Sequence, residues 1–297
     1  MAKKILVGGQ AVIEGVLMRS PNYYAVAVRK PDDKITVKLE KYKAYTQRNK
    51  FLGFPFIRGI VSMIDTIALG SRALTYSANE SIEKDDEKLT SKEIFLTILV
   101  SVVVALVVFK FLPMFLAHLF SQSMGLGNFW FNLVDGLIKL VILLGYLWVI
   151  SLMSDVQRMF EYHGAEHMSV HCYEGEKKLT PKNAKKYKTM HPRCGTEFLL
   201  LVVIISIIFY MFIPFTAGFW MKYLLRILLL PIIAGVSYEV LRMSGLHHNQ
   251  LIFKIISAPG MWLQRITTKQ PTDKQLEVAI KSLEAVLKAE KKTIKSS

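Results

Sequence analysis

The chain of 297 residues is 52% hydrophobic and nevertheless carries a formal net charge of +15 at pH 7. Such a composition indicates that basic and apolar segments are separated along the chain. The basic excess alone would suit nucleic-acid binding, but no recognition motif accompanies it, so we expect no nucleic-acid partner.

Residues 1–50 predict a small β-sheet region. Lys4–Met18 is apolar and β-branched around several glycines, and Tyr23–Val28 is strand-like. The turn Pro31–Asp33 follows, and apolar residues then alternate with polar ones in Lys34–Glu40. Alternation of this kind after a turn is typical of a β-hairpin.

Residues 51–92 predict an amphipathic helix and a linker. Within Phe56–Ser77 charged residues recur every seven positions, while the apolar ones fall largely elsewhere around the helix. A helix packed on a membrane domain explains this pattern, and a lipid-sensing helix is the alternative. The acidic, serine-rich stretch Glu80–Lys92 has no apolar periodicity and is predicted to be the linker.

Residues 93–241 contain four apolar segments that are long enough to cross a hydrocarbon core, which takes about 20 residues per helix. They are Ile94–Ala117, Phe129–Ile150, Phe198–Phe219 and Tyr223–Leu241. We therefore expect a mainly α-helical protein with four transmembrane helices. In the second segment, Asp135 and Lys139 are one helical turn apart and are predicted to neutralise each other.

The basic residues predict the orientation, because lysine and arginine near helix ends are retained on the cytoplasmic side. All but four of the 38 fall in residues 1–92, 155–196 and 242–297. The segment Leu112–Asn128 has no Lys, Arg, Asp or Glu and is predicted to be the external loop. Both termini, the loop 155–196 and C-terminal amphipathic helices in 242–297 are expected in the cytoplasm.

The histidines indicate a metal site, since six of the seven fall between residues 163 and 248. His163, Glu166 and His167 form the pattern H-x-x-E-H, and on a helix all three share one face. In the inverted zincin pattern with this spacing, two imidazoles hold a divalent metal ion and the carboxylate activates water. The alternative is a helix end whose polar side chains are satisfied without an ion.

A single metal ion needs a third protein ligand, which the sequence leaves open. Cys172 and Cys194 fall in the predicted cytoplasmic loop, where a disulfide is not expected, so they are free thiols or ligands. The segment His191–Glu197 places His, Cys and Glu just before the third span, and a loop that caps the incoming helix is the alternative. Glu239 is predicted at the same membrane depth as the histidines. Further candidates are His171, Glu174, Glu197 and His247.

Five motifs carry a family resemblance over residues 5 to 265: Gly8–Arg19, Arg58–Gly59, Tyr162–His167, His191–Phe198 and Gly235–Glu239. Together they resemble the YqhQ family of bacterial multi-pass membrane proteins, the domain of unknown function 1385. The resemblance implies a metal-dependent enzyme of the bacterial cytoplasmic membrane and indicates no particular reaction. Carried over by motif, it singles out Glu14, Arg19, His163, Glu166, His167, His191, Cys194 and Glu239.

Three functions stay open. The first is a membrane-embedded metal-dependent hydrolase at the cytoplasmic leaflet, with Glu166 as general base and zinc or another divalent ion on His163, His167 and a third ligand. Its substrate is a lipid-linked molecule or a membrane peptide, with the N-terminal sheet as a lid or platform. The second is a non-catalytic factor for membrane-protein insertion, assembly or quality control. The third is a transporter, which with only four spans would need a homo-oligomer.

Overall fold

A computed structural model describes residues 5–82, 90–247 and 250–296. Most of the predicted acidic linker lies outside this described part. Within it the chain is mainly helical with one antiparallel sheet, as predicted. The helices are α1 (Tyr45–Arg48), α2 (Ile57–Glu80), α3 (Ser91–Leu106), α4 (Leu112–Met124), α5 (Asn128–Ile150), α6 (Ser154–Glu174), α7 (Pro181–Ala184), α8 (Thr196–Tyr210), α9 (Phe219–Leu228), α10 (Leu230–Leu246), α11 (Leu251–Thr267) and α12 (Asp273–Ser296).

The sheet is a four-stranded meander near the N-terminus. Its strands lie in the order β1 (Gly8–Val12), β2 (Gly15–Arg19), β3 (Tyr23–Arg29) and β4 (Ile35–Lys41). The predicted hairpin is confirmed, because β3 pairs with β4 across the turn that contains Pro31–Asp33. β1 and β2 form a second hairpin with a two-residue turn, and β1 and β4 are the two edges of the sheet.

Helices cover both faces of the sheet. Successive residues of each strand point to opposite faces, so alternate residues pack on different helices. One face packs on α6 and α12 through Val16, Met18, Ala25 and Ala27. The other face packs on α2 through Leu17, Tyr24, Val26 and Val28. β2 is therefore buried on both faces, which explains its unbroken apolar run.

The amphipathic helix predicted near the C-terminus is α12, and its apolar face completes this core. Leu276 and Leu283 are fully buried in the cluster formed with the sheet and α6. Ser282 Oγ accepts the Met18 N–H at 3.1 Å and donates to the Ala25 carbonyl at 2.9 Å. Segments from both ends of the chain thus share one core with α6.

Two helical stretches are long and apolar enough to cross a membrane. The first runs from Leu96 to Met124 through α3, a π-helical turn and α4, and the second is α5. The prediction of an external loop over Leu112–Asn128 was wrong, because α4 continues to Met124 and only three residues separate it from α5. Only 11% of the apolar window in the first stretch is buried within the protein, so its apolar surface requires a nonaqueous neighbour.

The third and fourth predicted spans are interrupted. α8 ends at Tyr210, where the sequence predicted helix as far as Phe219, and is shorter than a membrane-crossing helix. α9 and α10 are bent by 44° at their junction, because Pro231 begins α10 and cannot continue the hydrogen bonding of α9. The described part of the chain therefore contains two candidate spans, or three if the bent pair counts as one.

The predicted charge pair within α5 is confirmed. Lys139 Nζ lies 2.5 Å from Asp135 Oδ2, and both side chains are buried. Arg226 from α9 joins them, with Nη1 3.0 Å from the same oxygen and Nη2 donating to Asn132 Oδ1 at 2.7 Å. Asp135 therefore neutralises Lys139 within α5 and also links α5 to α9 through Arg226.

Candidate metal centre

α6 is the central helix of the site, and most of its circumference is buried. Tyr162, Ala165 and Met168 pack in the core with the sheet and α12. His163, Glu166 and His167 lie on a neighbouring face, as the helical spacing predicts. Glu166 and His167 are buried by the surrounding elements, whereas His163 is partly exposed.

A close backbone contact sets one side of the site. A Cβ on Gly164 would lie 2.1 Å from the carbonyl oxygen of Lys269, so only glycine lets the chain after α11 cross α6 here. The Lys269 N–H donates to the Phe160 carbonyl at 2.9 Å. This crossing brings the carbonyl of Thr267 next to His163.

Backbone carbonyls orient both histidines of the H-x-x-E-H motif. His163 Nδ1 lies 2.8 Å from the Thr267 oxygen, and His167 Nδ1 lies 2.5 Å from the Thr189 oxygen. When Nδ1 carries the proton that each carbonyl accepts, Nε2 presents a lone pair. Metal-binding histidines are typically held in this way.

Cys194 completes a group of three potential ligands. Its Sγ lies 3.2 Å from His163 Nε2, and ligand atoms of His163, His167 and Cys194 all lie within 4.8 Å of one another. Two ligand atoms of a tetrahedral zinc ion are about 3.5 Å apart. The three side chains are therefore near the separation that a zinc ion requires.

The surroundings of Cys194 suit a sulfur ligand. Thr196 Oγ1 lies 3.1 Å from Sγ, and the Thr196 N–H points at it from 3.5 Å. Burial raises the pKa of the thiol to about 12, so the thiol keeps its proton at neutral pH. A bound divalent cation would reverse this preference, because a coordinating thiol is deprotonated.

Glu166 lies beside these ligands with its carboxyl group buried. Oε2 is 3.7 Å from His167 Nε2, and the side chain packs closely on β1, since a Cβ on Gly9 would lie 3.1 Å from Glu166 Cγ. Burial raises the pKa of Glu166 to about 7, an increase that nearby His163 partly offsets. Burial also lowers the pKa of His167 well below its usual value, with His163 contributing, so this imidazole is neutral, the form that binds metals.

The donor set fits zinc. Two imidazoles and one thiolate are ligands that zinc prefers, and a catalytic zinc site keeps one position open beside three protein ligands. A cavity of about 460 Å³ borders His163, Glu166, His167 and Cys194. Water and a substrate could therefore reach the ligand atoms.

His171, Glu174 and His191 form a second group that meets the same distance criterion. Its charges are already matched, because Arg193 forms an ion pair with Glu174. His191 Nδ1 accepts the Arg193 N–H at 3.2 Å, and Nε2 lies 3.4 Å from Glu174. Burial lowers the pKa of His191 to about 4. A cation in this group would have to displace the guanidinium, so the first group is the better metal site.

The remaining predicted site residues lie apart from the first group. Glu239 of α10 forms an ion pair with Arg58 of α2. Glu14, in the β1–β2 turn, pairs with Arg158 and accepts the Tyr162 hydroxyl at 3.2 Å. Arg19 lies over the ring of Tyr42, 4.5 Å from its centroid. The predicted residues that the structure brings together are His163, Glu166, His167 and Cys194, with His191 in the adjoining group.

Sequence reasoning missed the groups that position these side chains. Gly9 packs against Glu166, and the carbonyls of Thr189 and Thr267 orient the histidines. The sequence offers one signal, the glycine within His163-Gly164-Ala165-Glu166-His167, because glycine inside a helix indicates a close contact. Backbone carbonyls carry no such signal, since every residue has one.

These features define a class: an α-helical protein with two or three candidate membrane spans and a histidine–cysteine cluster beside an α/β/α unit. The model of the family described as "Protein of unknown function (DUF1385)" matches residues 54–289. The chain is 33% identical over 296 residues to "Uncharacterized protein YqhQ" of Bacillus subtilis (strain 168), covering 95% of this chain and 92% of that protein. The chain therefore belongs to the DUF1385 family, as its motifs indicate. No solved structure matches it.

Proposed function

We propose that the protein is a membrane-embedded, metal-dependent hydrolase. The observation that carries the proposal is the first group of ligands: His163, His167 and Cys194 converge, and both histidines are oriented by backbone carbonyls. Glu166 lies against them at the wall of an open cavity. A zinc ion there would polarise a substrate carbonyl or phosphoryl group and make water more acidic.

Glu166 is the general base of the proposed reaction. Its carboxylate accepts a proton from the attacking water and returns it to the leaving group, so it is unchanged after each turnover. Gly9 of β1 packs against the Glu166 side chain, and burial raises the pKa of the carboxyl group to about 7, which suits proton exchange near neutral pH.

The protein would cross the bacterial cytoplasmic membrane four times, with both termini inside. The crossings are α3 with α4, α5, α8 with the turn that follows it, and α9 with α10. The exposed aromatic residues Trp130 at the start of α5, Phe212 after α8 and Trp220 at the start of α9 would then lie at one membrane surface. The metal ligands come from α6, which follows α5, and from Cys194, which precedes α8, so they would lie at the opposite surface, which the basic residues favour as the cytoplasmic one.

Elemental analysis of the detergent-purified protein tests the metal site. We expect about one zinc ion per chain in the wild type and its loss in His163→Ala and Cys194→Ser. His191→Ala is the matched control, because it removes a neighbouring histidine from the second group and should retain zinc. Equal zinc in all four proteins, or none in the wild type, would contradict the proposal.

The alternative is a non-catalytic factor for membrane-protein assembly, insertion or quality control. The exposed side chains of Phe51, Phe54 and Phe56 favour it as a possible partner surface. Glu166→Gln separates the two functions, because it retains the ligands and removes the base. A cell that lacks the wild-type gene and is fully complemented by Glu166→Gln would favour the assembly factor.

A further inference from the structure

The free edge of strand β1 forms one wall of the cavity that holds the metal ligands. Five consecutive residues, Val7 to Ala11, line this cavity opposite His163, His167 and Cys194. β1 pairs with β2 alone in the sheet. A strand edge therefore runs past the ligand atoms.

The pairing with β2 determines which backbone groups of β1 point into the cavity. Val12 and Gly15 close a two-residue turn, so they form a hydrogen-bonded pair, and Gly9 and Ala11 then fall at positions not bonded to β2. The Met18 N–H, opposite Gly9, bonds Ser282, and Gly9 lies against the side chain of Glu166. The Gly9 carbonyl and both polar groups of Ala11 remain on the outer edge.

The side chains along β1 are small where this edge is open. A Cβ on Gly8 would meet nothing within 4 Å, so packing among the described residues does not explain why this position lacks a side chain. Glycine inside a strand weakens it and often marks the close approach of another backbone. Gly8 and Gly9 also line a second cavity, of about 550 Å³.

From these observations we infer that the substrate is a polypeptide segment, bound in extended form as an added strand beside β1. This inference rests on the proposed hydrolase. Alternating N–H and C=O groups of an extended peptide match those of Gly9 and Ala11, and they bring a peptide carbonyl beside the metal ligands and Glu166. Cleavage adds one water: its oxygen bonds the carbonyl carbon, the C–N bond breaks, and Glu166 carries the proton to the departing amine. The products are a carboxylate and an amine.

The test measures binding, separately from cleavage. A pool of unstructured ten-residue peptides is incubated with the zinc-loaded, full-length Glu166→Gln protein in nanodiscs, and a retained peptide is resynthesised with each backbone amide N-methylated in turn. Strand addition predicts that methylation weakens binding at every second residue. Each such methyl group removes one hydrogen bond and adds bulk against the strand edge, which should weaken binding about tenfold. The residues between should tolerate it.

Two proline variants provide the matched comparison. Ala11→Pro removes an N–H from the open edge of β1, and it should weaken peptide binding about tenfold. Val37→Pro removes an N–H from the other edge of the sheet, since Val37 pairs with Ala27 at a position not bonded across β3 and β4. It should bind peptide as well as the parent protein does.

The possible failures are distinguishable. The inference is overturned if the protein holds zinc but retains no peptide, or if the N-methyl scan lacks a period of two. Neither result contradicts the proposed hydrolase function. Hydrolysis of a lipid ester, with no peptide bound, does the same. A protein that holds no zinc overturns the proposed function itself.

Discussion

Gly164→Ala tests whether the backbone crossing at α6 organises the metal centre. The new Cβ would lie 2.1 Å from the Lys269 carbonyl oxygen, whereas unbonded carbon and oxygen atoms keep more than about 3 Å apart. The segment after α11 must therefore retreat by about 1 Å. Thr267 is the last residue of α11 and lies only two residues before Lys269, so it should move with this segment, and its 2.8 Å contact with His163 Nδ1 would lengthen beyond hydrogen-bond distance.

Two effects on the free energy of unfolding oppose each other. Overpacking costs about 1–3 kcal/mol, while alanine is favoured over glycine inside a helix by about 1 kcal/mol. The expected net loss of stability is therefore small. The larger effect is on the metal, since loss of a partner that orients a ligand weakens binding about 10- to 100-fold.

Competition with a coloured zinc chelator measures this affinity, and thermal unfolding in detergent measures stability. Gly195→Ala is the matched control, because its Cβ would meet nothing within 4 Å although it adjoins Cys194. We expect the control to bind zinc as the wild type does. Unchanged zinc affinity in Gly164→Ala would refute the account of how His163 is held.

Two further substitutions test ion pairs away from the proposed metal ligands. Asp135→Asn removes the only carboxylate in contact with Lys139 in the described structure. It should lower the free energy of unfolding by about 3 kcal/mol or more. Calorimetry in detergent measures this effect, and an unchanged unfolding temperature would contradict it. Glu239→Gln removes the negative charge of the ion pair with Arg58 and should lower thermal stability while zinc content stays the same. Loss of zinc from Glu239→Gln would instead support Glu239 as a ligand.

Local patterns predicted the parts of the fold that depend on near neighbours. The hairpin of β3 and β4 follows from alternation around a turn, and the shared face of His163, Glu166 and His167 follows from the period of a helix. The apolar runs also located α5 within one residue. Hydropathy misplaced the end of α8 and gave no sign of the α9–α10 bend, because the apolar character of a segment does not register how Pro214 and Pro231 interrupt helices.

The choice of third ligand shows what the sequence by itself could not decide. The sequence leaves His191, Cys194 and Glu239 as candidates, since all three are predicted at one membrane surface. Tertiary packing separates them: Cys194 faces His163, His191 meets Glu174, and Glu239 meets Arg58. The sequence determined the H-x-x-E-H face, because a helix repeats every few residues. Only the tertiary structure decided its partners and brought the edge of β1 to it, because those contacts join segments far apart in the chain.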